Sequence, residues 1–296
     1  MVATIESNGL KVAYDEHGDA DAPPLLLVAG LGMQMTGWRD GFIDALVKRG
    51  FRVIRFDNRD NGLSTHLSDA PVPDISALMR GDASSVTYTL NDLAADAAGV
   101  LDALGIDRAH VVGMSMGGMI VQQLAIDFPQ KVASLTSIMS TTGDRSVGAA
   151  TPEATAALMT PVPLDRAQAI DKLTADSRVI GSPGFRFDED AVRARHAESF
   201  DRSIDPAGTA RQFAAIRVSP DRTPALRELS VPTLVIHGKA DPLIQLSGGE
   251  ATAAAIPGSR LVAYDGMGHD LPEELWEQIA DEIASVALNE AASAQH

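Results

Sequence analysis

Short apolar runs alternate along the chain with longer segments in which apolar residues recur at helical spacing. The first pattern is typical of strands buried in a sheet, and the second is typical of amphipathic helices. We predict eight strands, of which the first is the weakest: Ala3–Glu6, Lys11–His17, Pro24–Ala29, Arg52–Asp57, Ala109–Gly113, Leu135–Ser140, Thr233–Gly238 and Ser259–Tyr264. We predict helices between them at Trp38–Lys48, Leu90–Leu104, Met116–Asp127, Gly248–Ala255 and Leu271–Ala287. This alternation predicts an α/β fold with a mostly parallel sheet flanked by helices.

One long stretch, from Thr142 to Leu226, interrupts the alternation. It contains several prolines, no strand-like run and three amphipathic segments, at Leu164–Val179, Asp188–Phe200 and Gly208–Val218. We interpret residues 142–226 as a helical cap inserted between two parts of one core, residues 1–141 and 227–288, with 289–296 as a flexible tail. The alternative is a helical packing layer that covers no pocket.

Composition narrows the chemistry that the protein can perform. The 296 residues are 45% hydrophobic and include no cysteine. Such a chain can bury a sizeable core, and it has no disulfide, no thiolate zinc ligand and no cysteine nucleophile.

The formal net charge of −16 adds a constraint on partners. It disfavours nucleic acid and anionic membrane surfaces, which would be repelled, and favours a neutral small-molecule substrate. We see no signal peptide and no apolar run long enough to span a bilayer, so we expect a cytoplasmic protein. The oligomeric state is left open.

The segment "HVVGMSMGGMIVQQLA" places a single serine between glycines, as Gly113-Met114-Ser115-Met116-Gly117. A predicted strand precedes it and a predicted helix follows it, which is the context in which G-x-S-x-G forms a sharp turn that exposes a nucleophilic serine. The alternative is a small polar residue that only begins a helix. A serine hydroxyl becomes a good nucleophile only when a base takes its proton, so a histidine and an orienting acid are needed.

Two later loops supply an acid and a base in the order that this arrangement requires. Asp241 follows the predicted strand in "VPTLVIHGKADPLI", and His269 lies in the glycine-rich loop "GMGHDLP" after the last strand. Catalytic groups gather at the carboxyl ends of strands in open parallel sheets. The alternative for Asp241 is a turn residue before Pro242.

Acyl transfer also needs N–H donors for the developing oxyanion. We expect one from Met116, at the positive end of the following helix, and one from Leu31 in "AGLGMQMTGW". Met33, Met35 and Met267 are candidates for an apolar substrate pocket, and ordinary core packing is the alternative.

Taken together, "GMSMGG", "HGKADPLI", "GMGH" and "FDNRDNGLS" resemble the α/β-hydrolase superfamily. More narrowly, "LLLVAGLGMQMTGW" and "VIRFDNRDNGLST" are similar to the aclacinomycin methylesterase group. The resemblance implies Ser115 as nucleophile, Asp241 as orienting acid, His269 as base, and the Leu31 and Met116 amides as oxyanion donors. It also implies a structural role for the acidic and basic side chains of "FDNRDNGLS". Ala29-Gly30 stands where many superfamily members have His-Gly. We expect this difference to affect the shape of the oxyanion loop more than the reaction.

We therefore predict an α/β-hydrolase fold and a serine carboxylic ester hydrolase that works through an acyl-enzyme on a neutral, largely apolar ester. We predict no cofactor and no metal. The resemblance implies methyl-ester cleavage. The same three side chains would also serve a lactonase, a C–C bond hydrolase or a cofactor-free perhydrolase, and a non-catalytic ligand-binding protein is the remaining alternative.

Overall fold

A single eight-stranded sheet forms the centre of the protein in the computed structural model, which describes residues 2–288. Its strands are β1 (Ala3–Ser7), β2 (Leu10–His17), β3 (Pro24–Val28), β4 (Arg52–Phe56), β5 (Ala109–Met114), β6 (Val132–Ile138), β7 (Thr233–Gly238) and β8 (Arg260–Tyr264). The tail that we predicted at 289–296 lies outside the described residues.

The strands are arranged in the order β1-β2-β4-β3-β5-β6-β7-β8. β1 pairs antiparallel with β2, and β2 pairs antiparallel with β4. All other neighbours are parallel. The predicted mostly parallel sheet is therefore confirmed, and the carboxyl ends of β3 to β8 lie along one edge of it.

Eleven α-helices are present in the described part of the chain. They are α1 (Asp40–Lys48), α2 (Ile75–Met79), α3 (Leu90–Ala103), α4 (Met116–Asp127), α5 (Pro152–Met159), α6 (Arg166–Ile180), α7 (Glu189–Arg202), α8 (Pro206–Val218), α9 (Thr223–Leu226), α10 (Leu246–Ala255) and α11 (Trp276–Ala287). None of the helices in residues 2–288 combines the length and the apolar character needed to cross a membrane.

Apolar side chains of β3 enter two separate cores, one on each face of the sheet. Leu26 and Val28 pack with α3 and α4, whereas Leu25 and Leu27 pack with α1 and α11. Successive side chains of a strand point to opposite faces, so a strand with both faces covered must be apolar throughout. This explains why β3 is the continuous run "PLLLV".

Helices α5 to α9 all fall between β6 and β7, and we call this segment the helical insertion (Pro152–Leu226). It contacts the loops that follow β3, β4 and β8, all at the carboxyl edge of the sheet. For example, Gln212 on α8 accepts a hydrogen bond from the Gly32 amide, and Arg211 forms an ion pair with Asp60. The insertion is thus positioned over the edge where the candidate site lies.

Candidate active site

Ser115 lies at the sharp turn between β5 and α4. Its φ is +54° and its ψ is −120°, which is unusual for a residue with a side chain. The turn is this tight because small residues flank it: a Cβ added at Gly113 would lie 2.1 Å from the Gly117 carbonyl oxygen, and one at Gly117 would lie 2.0 Å from that of Val28. Ser115 remains partly exposed, so its hydroxyl is accessible.

Asp241 lies in the loop after β7, with its side chain buried. One carboxylate oxygen, Oδ1, accepts hydrogen bonds from the amides of Leu243 at 2.8 Å and Ile244 at 2.9 Å. These two bonds leave the other oxygen, Oδ2, free to face His269. The backbone amides of the loop therefore orient the carboxylate without the help of another side chain.

His269 connects the other two side chains. Its Nδ1 lies 2.7 Å from Asp241 Oδ2, and its Nε2 lies 2.9 Å from Ser115 Oγ. A carboxylate can only accept, so the imidazole proton belongs on Nδ1, and Nε2 then accepts from the serine hydroxyl. The structure thus brings together the three side chains singled out from the sequence, in a geometry suited to removing the proton of Ser115.

The backbone around His269 is held by the helical insertion. The His269 amide donates to the Ile180 carbonyl oxygen at 2.7 Å, and the Gly268 amide donates to Ser182 Oγ at 2.8 Å. Ile180 is the last residue of α6. The orientation of the imidazole therefore depends on the insertion as well as on Asp241.

The loop after β3 passes directly beside Ser115. A Cβ added at Gly30 would lie 3.3 Å from Ser115 Cβ. In the part of the chain that the structure describes, the Leu31 amide, next along the chain, donates to no acceptor. Met116 begins α4, and the first amides of a helix have no partner within it. The Met116 amide is thus next to Ser115 in the chain, and the Leu31 amide follows the glycine that lies beside Ser115; their role as oxyanion donors stays a prediction.

A second histidine, His237, supports the acid loop. It is fully buried on β7, and its Nε2 lies 2.7 Å from the Ile244 carbonyl oxygen, so it donates there. The same nitrogen is 3.7 Å from Asp241 Oδ2. Burial lowers the pKa of His237, although the hydrogen bond to Ile244 opposes that shift. We infer a neutral imidazole that ties both ends of the Asp241 loop together.

The charged residues of "FDNRDNGLS" form separate contacts. Asp57 is fully buried, accepts from the Met35 amide at 2.8 Å and pairs with Arg202 of α7 at 2.7 Å. Arg59 pairs with Asp96 of α3 at 2.6 Å. Both side chains thus hold neighbouring elements in place.

The three methionines proposed as pocket residues differ in exposure. Met35 and Met267 have no exposed surface and belong to the core on the α1 and α11 face, because their side chains fill space between the sheet and those helices. Met33 is partly exposed and packs against the same core. Only Met33 can therefore present its side chain to a substrate in this conformation.

Within residues 2–288, one group of three side chains is close enough to share a cation: Asp60, His66 and Asp205. Asp60, however, already receives both guanidinium bonds of Arg211 at 2.8 Å. Burial alone would raise the pKa of Asp60, but Arg211, the Leu67 amide and Tyr88 outweigh it and lower that pKa. The carboxylate is thus neutralised by Arg211, and the group serves to attach α8 to the core.

Comparisons with known proteins agree with this fold. A family model described as the alpha/beta hydrolase fold matches residues 23–274. A rhodomycin D methylesterase of Streptomyces peucetius is 31% identical over 90% of this chain and 92% of its own. A 2-hydroxy-6-oxononadienedioate/2-hydroxy-6-oxononatrienedioate hydrolase of Klebsiella pneumoniae is 29% identical over 95% of this chain and 90% of its own.

A solved structure shows the same architecture. The enol-lactonase from Burkholderia xenovorans superposes with a TM-score of 0.70 at 25% identity, covering 97% of this chain and 98% of its own. These three proteins are a methylesterase, a lactonase and a hydrolase. On the family match, the sheet order and the curated relatives together, the chain belongs to the α/β-hydrolase family and is a hydrolase.

Proposed function

We propose that the protein is a serine carboxylic ester hydrolase that works through an acyl-enzyme. The observation that carries the proposal is the hydrogen-bonded series Ser115–His269–Asp241, with contacts of 2.9 and 2.7 Å. The serine is partly exposed, so a substrate can reach its hydroxyl, while the imidazole and the carboxylate are largely shielded from bulk solvent.

In the first half-reaction, Ser115 Oγ attacks the ester carbonyl carbon while His269 Nε2 takes the hydroxyl proton. The carbonyl oxygen becomes an oxyanion, which the Leu31 and Met116 amides stabilise. The tetrahedral intermediate then collapses, and His269 returns the proton to the leaving alcohol. The Asp241 carboxylate stabilises the imidazolium that forms between these steps.

In the second half-reaction, water attacks the acyl-enzyme with His269 as base, and the carboxylic acid and free Ser115 are released. Neither step needs a cofactor or a metal. The proton passes between Ser115, His269, the leaving alcohol and water. The protein side chains, the ester and water therefore supply every atom that the two half-reactions need.

For the substrate we propose a neutral, largely apolar ester, with a methyl ester as the first candidate. Support comes from the methylesterase among the relatives and from Met33 as an adaptable lining residue. In this proposal residues 142–226 act as the cap that shapes the pocket. The hydrogen bonds from the insertion to the loops of Gly32 and His269 support that role.

The first prediction concerns the nucleophile. Ser115→Ala should lower kcat on p-nitrophenyl butyrate by about a million-fold, because no other group can form the acyl-enzyme. Initial rates measure it, with Ser68→Ala as the control because Ser68 is exposed. A rate for Ser115→Ala equal to that of the wild type would end the proposal.

A substrate panel then separates the activities that share this site. The panel contains matched methyl esters, lactones and β-diketones, and an ester with added peroxide. We expect kcat/KM to be highest for the methyl esters. A preference for lactone or β-diketone would retain Ser115 as nucleophile and replace the substrate class.

A further inference from the structure

Gln212 joins the helical insertion to two loops of the core. It lies on α8 with a fully buried side chain. Its Oε1 accepts from the Gly32 amide at 2.9 Å, and its Nε2 donates to the Arg59 carbonyl oxygen at 2.8 Å. A neutral amide is the side chain that offers an acceptor and a donor side by side, and here both are used.

The Gly32 amide belongs to the turn that carries Leu31. The Met33 amide donates to the Gly30 carbonyl oxygen at 3.2 Å, which closes a four-residue turn with Leu31 and Gly32 at its centre. The φ of Gly32 is +63°, as a type II turn requires at its third position. Type I and type II turns differ in the orientation of the central peptide, which here contains the Gly32 N–H. The bond to Gln212 therefore selects one orientation of that peptide.

The next residues of the loop are held by the end of α7, the helix that precedes α8 in the insertion. Gln34 donates through Nε2 to the carbonyl oxygens of Ser199 and Ser203, each at 2.8 Å. Arg202 donates to Gln34 Oε1 at 2.7 Å. These contacts anchor the loop beyond the turn, whereas Gln212 bonds the turn itself.

We propose that Gln212 is a positioning residue for the oxyanion hole: it holds the Gly30–Met33 turn so that the Leu31 amide faces the reacting carbonyl beside Ser115. The proposal rests on the proposed function, since it needs an oxyanion at this point. Misplacing a reacting group by about 1 Å can cost about a hundredfold in rate. The insertion thereby contributes to the chemical step as well as to substrate choice.

The test uses Gln212→Met, which keeps the side-chain length and removes both hydrogen-bonding groups. We expect kcat to fall by about ten- to a hundredfold while KM changes by less than about threefold, because the lost contact acts on the transition state. The matched control is Gln123→Met: Gln123 is also a buried glutamine, but its amide bonds Asp127 within α4. Its kcat should stay near that of the wild type.

A second measurement separates positioning from folding. A trifluoromethyl ketone accepts Ser115 Oγ at its carbonyl carbon; the serine proton passes to His269 and the carbonyl oxygen becomes an oxyanion. Its affinity should fall in Gln212→Met by the same factor as kcat, whereas the matching methyl ketone, bound as the neutral ketone, should keep its affinity. Gln212→Asn, which is shorter but keeps the amide, should show the same selective loss if the methionine variant does not fold.

The proposal is overturned if folded Gln212 variants keep the wild-type kcat and trifluoromethyl ketone affinity. It is also overturned if both ketones lose affinity equally, since that would indicate general disruption. Such results alongside an inactive Ser115→Ala would leave the ester hydrolase proposal intact. An active Ser115→Ala would instead remove the proposed function itself.

Discussion

At the scale of single residues, Ser115 is held in a backbone conformation that costs about 1–3 kcal/mol. Neighbouring groups stabilise Ser115 in this conformation. The Ser115 amide donates to the Ile138 carbonyl oxygen at 2.9 Å, and Ser140 Oγ donates to the Ser115 carbonyl oxygen at 2.8 Å. The turn directs the side chain away from the sheet and leaves the hydroxyl within reach of His269. The strained backbone thus fits a residue whose side chain must occupy one particular position.

Asp241→Asn tests whether the acid sets the proton position on His269. We expect kcat to fall by about ten-thousandfold, because an amide would present N–H to Nδ1 and stabilise the wrong tautomer. Steady-state rates on the same ester measure the change. Asp265→Asn is the control, since Asp265 is exposed and pairs with Lys239 at the surface. A loss of less than about tenfold in Asp241→Asn would show that the carboxylate does not orient the base.

The sequence could predict the three central residues because each lies in a loop just after a predicted strand, and such loops meet at one edge of a parallel sheet. It could not predict Gln212. Gln212 and Gly32 are 180 positions apart in the chain, and no local sequence pattern indicates where α8 packs relative to the loop of Gly32. The sequence predicts Met35 and Met267 near the site because they are close to it along the chain, yet their side chains are buried in the core.

At the scale of elements, the helical insertion is attached to two loops of the site at once. Ile180 at the end of α6 accepts from the His269 amide, and Gln212 on α8 accepts from the Gly32 amide. A movement of these helices would therefore shift the His269 backbone and the Gly30–Met33 turn together. We infer that the insertion is part of the site's framework.

The attachment of α8 should depend on pH through His66. Its Nδ1 lies 2.7 Å from Asp205 Oδ2, at the residue that caps α8. Burial lowers the pKa of His66, but hydrogen bonds to Gly62 and Asp205 outweigh it and the pKa is raised. A histidine whose pKa is raised on folding stabilises the folded state. Its whole contribution is present at pH values below the unfolded-state pKa of about 6.5, and the contribution is lost as pH rises through the folded-state pKa.

We therefore predict that His66→Gln lowers the free energy of unfolding more at about pH 6 than at about pH 9. Urea denaturation of both proteins at each pH measures the difference. His196→Gln gives a contrast of opposite sign: burial, with repulsion from Arg195, lowers the pKa of His196 to about 4, so its contribution should grow as pH rises. Equal effects of His66→Gln at both pH values would contradict the account.

Most element positions could be predicted from periodicity. Observed β7 and α4 have the predicted bounds, whereas β6 begins three residues earlier and ends two earlier than predicted. β6 begins at Val132 because Val132 pairs with Ala109 of β5, a pairing that the sequence does not reveal. The short helices α2, α5 and α9 were not predicted, since segments of this length carry little periodicity.

At the scale of the whole molecule, the site is assembled from loops after β3, β5, β7 and β8, together with the insertion. The alternating pattern could predict the parallel sheet, because both faces of it must be covered by apolar contacts. The order of the strands could not be predicted, because it depends on which connections cross the sheet. Ser115, His269 and Asp241 come within hydrogen-bond distance only after all these parts have folded.

The most direct measurement is intact-protein and peptide mass spectrometry after treatment with a fluorophosphonate. We predict one covalent adduct, on Ser115, because His269 and Asp241 activate that hydroxyl and no other. The adduct should form slowly or not at all in His269→Ala, which retains the serine and lacks the base. A folded wild-type protein that gains no adduct, or that carries it on another residue, would contradict the central claim that Ser115 is the nucleophile of this hydrolase.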